Sequence, residues 1–203
     1  MKKRMLCILL ATFLIITPAL ANNAEKHWAQ EGISFVTARE LFQGVSNGRF
    51  APDEQMTRAM FATVLSRMAS VSPEVSSKSE FQDVDPNIWY APSITWAKNN
   101  HFMEGINNDH FAPNMPITRV QVATILHRFL NPTEFPVSPI DISLDSYSDA
   151  NLVPDWGKDS MLWAVSKGIL AGKPNNLLDP FGSATRAEVA TMIMRFYTSI
   201  LKE

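Results

Sequence analysis

The chain has 203 residues, 46% of them apolar, with 18 Lys and Arg against 20 Asp and Glu and a formal net charge of −2. That length can bury a real core, and the mild acidity argues against a nucleic-acid partner, which would need a basic face. A single cysteine, Cys7, excludes a disulfide framework and a thiolate zinc site.

At the N-terminus, Lys2, Lys3 and Arg4 precede an apolar run from Met5 to Ile16, closed by Ala19-Leu20-Ala21. This is the layout of a secretory signal with a small-residue cleavage site. The run is shorter than the roughly 20 residues of a membrane span, and the polar Asn22-Asn23 follows it. Residues 1–21 are therefore expected to be removed on export. The mature chain would then hold no cysteine, no transmembrane segment, and 15 basic against 20 acidic side chains, a net of −5.

Beyond residue 21 the chain repeats itself. Trp28, Trp89 and Trp156 are separated by 61 and 67 residues. The same two offsets connect Gly44, Gly105 and Gly172, then Pro52, Pro113 and Pro180, then the pairs Thr57-Arg58, Thr118-Arg119 and Thr185-Arg186. Units are expected at 22–70, 81–130 and 147–198, divided by Ser- and Pro-rich linkers. At roughly 50 residues each, a unit alone has a marginal core, so the three are expected to fold as one pseudo-threefold body.

Within each unit the first predicted element is a helix after the Trp, with Ile33, Ile94 and Met161 and then Phe35, Trp96 and Trp163 as core candidates. A Gly-x-x-Asn turn follows, through Asn47, Asn108 and Asn175. Next come Gly48, Asp109 or Asn176, residue types that tolerate a left-handed backbone. Phe50, Phe111 and Leu178 then predict a short apolar strand that anchors the turn. The second helix has the clearest periodicity: Phe61, Val64, Leu65, Met68; Val122, Ile125, Leu126, Phe129; and Val189, Met192, Ile193, Phe196. Each set is one stripe of an amphipathic helix, and the three helices are expected to pack as a bundle. The expected fold class is mainly α: three helix-loop-helix repeats around a central three-helix bundle, with short extended segments in the loops.

The Thr of each Thr-Arg pair is a good N-cap, completed to a capping box by Glu188 and Gln121 but not by Met60. The Arg has no such local reason. A cation in the first helical turn opposes the helix dipole by about 0.3–1 kcal/mol. Either a structural carboxylate such as Asp83 or Asp149 or an anionic ligand could employ the guanidinium, and physics alone divides these evenly. Arg67, Arg128 and Arg195, near the favourable end of the second helix, are given no site role.

The Trp-Ala or Trp-Tyr before the first helix, Gly-x-x-Asn-Gly-x-Phe-x-Pro in the turn and Ile-Thr-Arg-x-x-x-Ala at the second helix resemble the S-layer homology family in three tandem copies. The resemblance implies a pseudo-trimer with binding grooves between neighbouring repeats. It implies a non-covalent cell-wall anchor holding a secondary wall polysaccharide that bears pyruvate ketals, or in some relatives modified peptidoglycan. It would place Arg58, Arg119 and Arg186 in the grooves as partners of a ketal carboxylate. Trp28, Trp89 and Trp156, and the turns of Gly44, Gly105, Gly172, Asn47, Asn108 and Asn175, would form the walls, with Asp83 and Asp149 nearby. Repeat one starts too late for the Phe-x-Asp-Val of the family and has Asn22 at the acidic position, repeat one has Met60 and repeat two Gln121 where an acid is usual, and repeat three has Leu178 for Phe. Three unequal grooves are therefore expected.

Two other functions compete. His27, His101, His110 and His127 share no repeat position and no metal-ligand spacing, and neither a Gly-x-Ser-x-Gly elbow nor a phosphate-cradling loop occurs. No catalytic residue, metal or cofactor is expected, although a wall-polymer hydrolase needs only a positioned acid and base. An S-layer or envelope assembly component working through a protein partner is the other alternative, since the sequence stops at Glu203, where anchors of this family usually continue into cargo. The expected location is the cell surface.

Overall fold

Each second helix begins at a threonine whose hydroxyl takes up an orphan N–H. In the computed structural model, which describes residues 27–45, 48–74, 79–130 and 143–201, these helices are α2 (Arg58–Met68), α4 (Arg119–Phe129) and α6 (Arg186–Phe196). Thr57, Thr118 and Thr185 accept from the N–H of Met60, Gln121 and Glu188. Gln121 and Glu188 return the bond to the cap backbone at 3.0 and 2.9 Å, closing the two capping boxes the sequence predicts.

The other orphan donors at these helix starts are satisfied by the next repeat. Arg58, Arg119 and Arg186 donate their backbone N–H to the carbonyls of Met115, Gly182 and Glu54, and the following residues donate to Pro113, Pro180 and Pro52. Just upstream the pattern closes on itself. Met56 N–H donates to Ala184, Ala184 to Ile117, and Ile117 to Met56, at 2.9, 2.8 and 2.9 Å. These three bonds encircle the pseudo-threefold axis.

The first helices are α1 (Gln30–Ala38), α3 (Ala91–Asn99) and α5 (Lys158–Ser166). Each packs on the second helix of the preceding repeat: α3 on α2, α5 on α4, and α1 back onto α6. Small residues allow this approach. A Cβ on Gly32 would meet the Thr191 backbone at 2.9 Å, and Ser93 bonds Ser66 across the α2–α3 contact at 3.1 Å. One apolar core joins all three repeats, with Ile33, Ile94, Met161 and Trp163 buried in it and Phe35 and Trp96 packed at its edge. The mainly α, pseudo-threefold arrangement is as the sequence predicts, and its most extensive helix pairs are first helix on second.

The interhelical loops differ from expectation in two respects. Among the described residues their extended pieces pair only as isolated bridges, Gln55 with Thr185, Thr57 with Pro116, Thr118 with Ser183, and Lys173 with Leu177, so no strand forms. The left-handed backbone occurs at Gly48 (φ 70°) and Asn176 (φ 56°) but not at Asp109, and it recurs at Ala51, Ala112 and Asp179. Those three positions follow Phe50, Phe111 and Leu178, whose side chains are buried. Turning the chain sharply there lets each side chain enter the core while its carbonyl stays available to a neighbour. Residues 1–21, expected to be a secretory signal, and Asn22 and Asn47 lie outside the described residues.

Candidate functional site

Three grooves of about 330, 290 and 330 Å³ repeat around the axis. Each draws on all three repeats. The first is walled by the Gly44 turn and α2 of repeat one, with Trp89 from repeat two and Arg186 from repeat three. The second uses the Gly105 turn and α4, with Trp156 and Arg58. The third uses the Gly172 turn and α6, with Trp28 and Arg119. The structure thus brings the predicted Trp, Gly and Arg residues together in threes, one of each per groove. The tryptophans stand in solvent, 66%, 61% and 56% exposed for Trp28, Trp89 and Trp156.

Gly105 and Gly172 are required by close approach. A Cβ on Gly172 would stand 2.7 Å from the Tyr147 ring. On Gly105 it would strike the carbonyl oxygens of Asn107 and His110.

The arginines answer the dipole problem in a way the sequence does not suggest. Arg58, Arg119 and Arg186 are 5%, 4% and 3% exposed. Each crosses into the next repeat and bonds to its backbone. Arg58 donates through Nε to Phe111 O at 2.9 Å and through Nη2 to Glu104 O at 2.6 Å. Arg119 does the same to Leu178 O and Ala171 O, and Arg186 to Phe50 O and Gln43 O. Carbonyl dipoles, not Asp83 or Asp149, hold the guanidinium. Burial lowers all three below the ordinary arginine value, against the opposing pull of Asp83 on Arg58, of Glu188 first among several groups on Arg119, and of Glu54 on Arg186. An arginine keeps its proton even so. Each groove therefore has a fixed cation in its wall.

The predicted carboxylates have another task. Asp83 accepts from Phe111 N–H and Ala112 N–H at 2.8 and 2.7 Å, and Asp149 from Leu178 N–H and Asp179 N–H at 2.7 Å each. Both oxygens of both side chains are committed to the left-handed corner of the loop, and neither residue lines a groove. Asn108 and Asn175 also line none of them. Asn175 is itself in the left-handed region, at φ 62°, and it is Asn107 whose side chain caps the turn, accepting from Asp109 and His110.

Sequence reasoning passed over Arg67, Arg128 and Arg195, which line the first, second and third grooves. Arg67 donates to Leu41 O at 3.0 Å, and burial lowers its affinity for its proton. Lys173 and Glu188 in the third groove were also missed as site residues. A signal existed: Met60-Thr63-Arg67, Gln121-Thr124-Arg128 and Glu188-Thr191-Arg195 form a second stripe at helical spacing, one residue before the core stripe.

A family model for the S-layer homology domain matches residues 24–62, 80–123 and 146–190. The chain belongs to the S-layer homology domain family. Its three S-layer homology repeats supply one turn and one second helix to each groove. The chain is 31% identical over 173 residues to an amylopullulanase of Thermoanaerobacterium thermosulfurigenes, covering 85% of this chain and 9% of that protein. It is 28% identical over 180 residues to the surface-layer 125 kDa protein of Lysinibacillus sphaericus, covering 85% and 14%. It is 25% identical over 159 residues to a cellulosome-anchoring protein of Acetivibrio thermocellus, covering 76% and 35%. The chain thus spans only a small part of these relatives. Among the described residues, no helix is long and apolar enough to cross a membrane.

Proposed function

We propose that this S-layer homology protein is a non-catalytic, non-covalent cell-wall anchoring module whose inter-repeat grooves hold an anionic wall polymer. The polymer class is a secondary wall polysaccharide bearing pyruvate ketals, and the working location is the cell surface, after export and removal of residues 1–21. Repeats at 22–70, 81–130 and 147–198 are the functional units. The observation that carries this reading is the threefold recurrence of an exposed tryptophan facing a buried guanidinium across an open groove. Aromatic faces stack on sugar rings, and a desolvated guanidinium is suited to a carboxylate. Relatives named as a surface-layer protein and a cellulosome-anchoring protein support the anchoring role. The amylopullulanase shares too little of its length for its activity to be carried over.

Weak contacts suffice for such a task. Several grooves on one polymer raise the effective affinity through local concentration, with no new contact needed.

The test is co-sedimentation of the purified protein with sacculi, before and after mild-acid removal of pyruvate. Trp28, Trp89 and Trp156 are changed to Ala singly and together, because they are exposed and their removal leaves the core intact. Retention is expected to fall with pyruvate removal and with the triple substitution. Undiminished retention of a folded triple variant would reject the groove reading.

A further inference from the structure

The three grooves share a plan but not a charge pattern. At the turn position after the glycine stand Val45, Ile106 and Lys173, and at the third residue of the floor helix stand Met60, Gln121 and Glu188. In the third groove these positions form an ion pair. Lys173 Nζ lies 3.4 Å from Glu188 Oε1 and 2.7 Å from Asp179 Oδ2. The same Glu188 oxygen lies 3.4 Å from Arg119 Nη1, while its other oxygen accepts from Thr185 N–H. One carboxylate, fixed by a capping bond, therefore occupies the edge of Arg119 that an incoming anion would need.

The first groove is built the other way. Its equivalents of Lys173 and Glu188 are the apolar Val45 and Met60, and among the described residues no carboxylate lines it. Arg186 uses Nε and Nη2 on Phe50 and Gln43 carbonyls, which leaves Nη1 without a hydrogen bond among the described residues. Glu54 bears on Arg186 electrostatically but is exposed and outside the lining. Arg67, held by Leu41 O, adds a second guanidinium. The second groove is intermediate, with Gln121 on its floor and Glu104 among its lining residues.

We infer that the Arg186 groove is the primary anion site, that Glu188 acts as an internal counterion weakening anion binding in the Arg119 groove, and that the preferred ligand carries an apolar substituent beside its anionic group, seated on Val45 and Met60. This rests on the proposal that the grooves bind an anionic wall sugar. An anion entering the third groove meets Glu188 across a few ångströms in a partly desolvated space, where like charges repel strongly. In the first groove it meets Arg186 and Arg67 beside an apolar wall; the third groove holds Arg119, Lys173 and Arg195, but there Glu188 already engages Arg119 and Lys173.

Each groove carries one tryptophan of its own, so indole N–H resonances report the three separately. The probe is the 4,6-pyruvate ketal of a methyl hexoside, titrated into the ¹⁵N-labelled chain, with indoles assigned by single Trp→Phe substitutions. The Trp89 resonance is expected to saturate at a concentration at least tenfold below that of Trp28. Glu188→Gln keeps the capping bond, as Gln121 does in repeat two, and should bring the Trp28 response at least tenfold lower in probe concentration. Met60→Glu should abolish the Trp89 response, with Met60→Gln as the neutral control. The uncharged methyl ester of the probe should erase the difference between grooves. Trp28 responding first, or Glu188→Gln weakening the third groove, overturns this inference. Silence of all three indoles in a folded chain rejects the anionic-sugar reading beneath it.

Discussion

The guanidinium of Arg186 lies 4.9 Å from the centre of the Phe50 ring and donates through Nε to that residue's own carbonyl at 2.8 Å, although 136 positions separate the two. Repeat three is thereby tied to repeat one with the bond that ties one to two and two to three. The closed circuit of backbone bonds through Met56, Ala184 and Ile117 does the same at the axis. A linear array of repeats would leave its terminal helices half exposed. Here α1 covers α6 instead, and no terminal cap is required.

Replacing Arg186 by Met should therefore loosen the whole body and not one repeat. The buried Phe50 carbonyl and the part-buried Gln43 carbonyl lose a charged donor, and bonds of this kind contribute about 1.5–3 kcal/mol each. A decrease of about 3 kcal/mol in unfolding free energy is expected from urea denaturation, with one transition retained. Arg186→Lys should recover part of it, since an ammonium can reach one carbonyl but cannot fork to both. Equal stability of the Met variant and the parent would show that the carbonyls find other donors.

Which parts of this were legible in the sequence follows from where the information sits. The second helices and their caps are local, so the spacing of Phe61, Val64, Leu65 and Met68 and the Thr185–Glu188 box specify them. Groove membership of Trp89, Gly44 and Arg186 is marked by one shared pair of offsets. What Arg186 bonds to is not marked at all, because its acceptors are backbone carbonyls that any residue type can offer. The roles of Asp83 and Asp149 were hidden for the same reason: their partners are backbone N–H groups. Arg67 was overlooked because a cation near a helix C-terminus already has a local explanation in the dipole. The expected strand after each turn is lost because a single buried side chain, such as Phe111, pins the segment without a ladder.

Asp149→Ala should destabilise without touching a groove. It strands the N–H groups of Leu178 and Asp179 in a buried corner, at about 1–3 kcal/mol each. Asp149→Asn keeps one acceptor and should fall between the variant and the parent. Asp83→Ala should cost less, because Asp83 is only partly buried whereas Asp149 is buried. Chemical denaturation of the three variants gives the order, and a larger loss at Asp83 would contradict it.

One pH effect has a definite sign. The hydrogen bond that His110 Nδ1 donates to the Asp109 carboxylate, at 2.7 Å, raises the imidazole above its ordinary value. A raised folded pKa means that this contact contributes fully below the unfolded value of about 6.5 and is lost as pH climbs through the folded one. His110 is solvent-accessible, so the effect on global stability is expected to be small. It should be read as a ring titration by NMR, with the midpoint above the ordinary imidazole value in the parent and lower in Asp109→Asn. An unchanged midpoint in that variant would remove Asp109 as the cause.

Gly105 and Gly48 make opposite demands, and alanine at each separates them. Gly48 has φ 70° with nothing within 4 Å of an added Cβ, so alanine there meets only the left-handed penalty of about 1–2 kcal/mol. Gly105 has no such backbone requirement, but its Cβ would press on two backbone carbonyls and the Phe81 ring. Backbone yields poorly, and overpacking of this kind costs about 1–3 kcal/mol. The His110 carbonyl involved also accepts from Ile106 N–H at 2.8 Å, so relief of the clash opens the turn that presents Glu104 O to Arg58. Gly105→Ala should therefore shift the Trp156 indole resonance and weaken the second groove, while Gly48→Ala leaves Trp156 where it was. If both variants lose stability but neither moves Trp156, the turn and the groove are not mechanically joined.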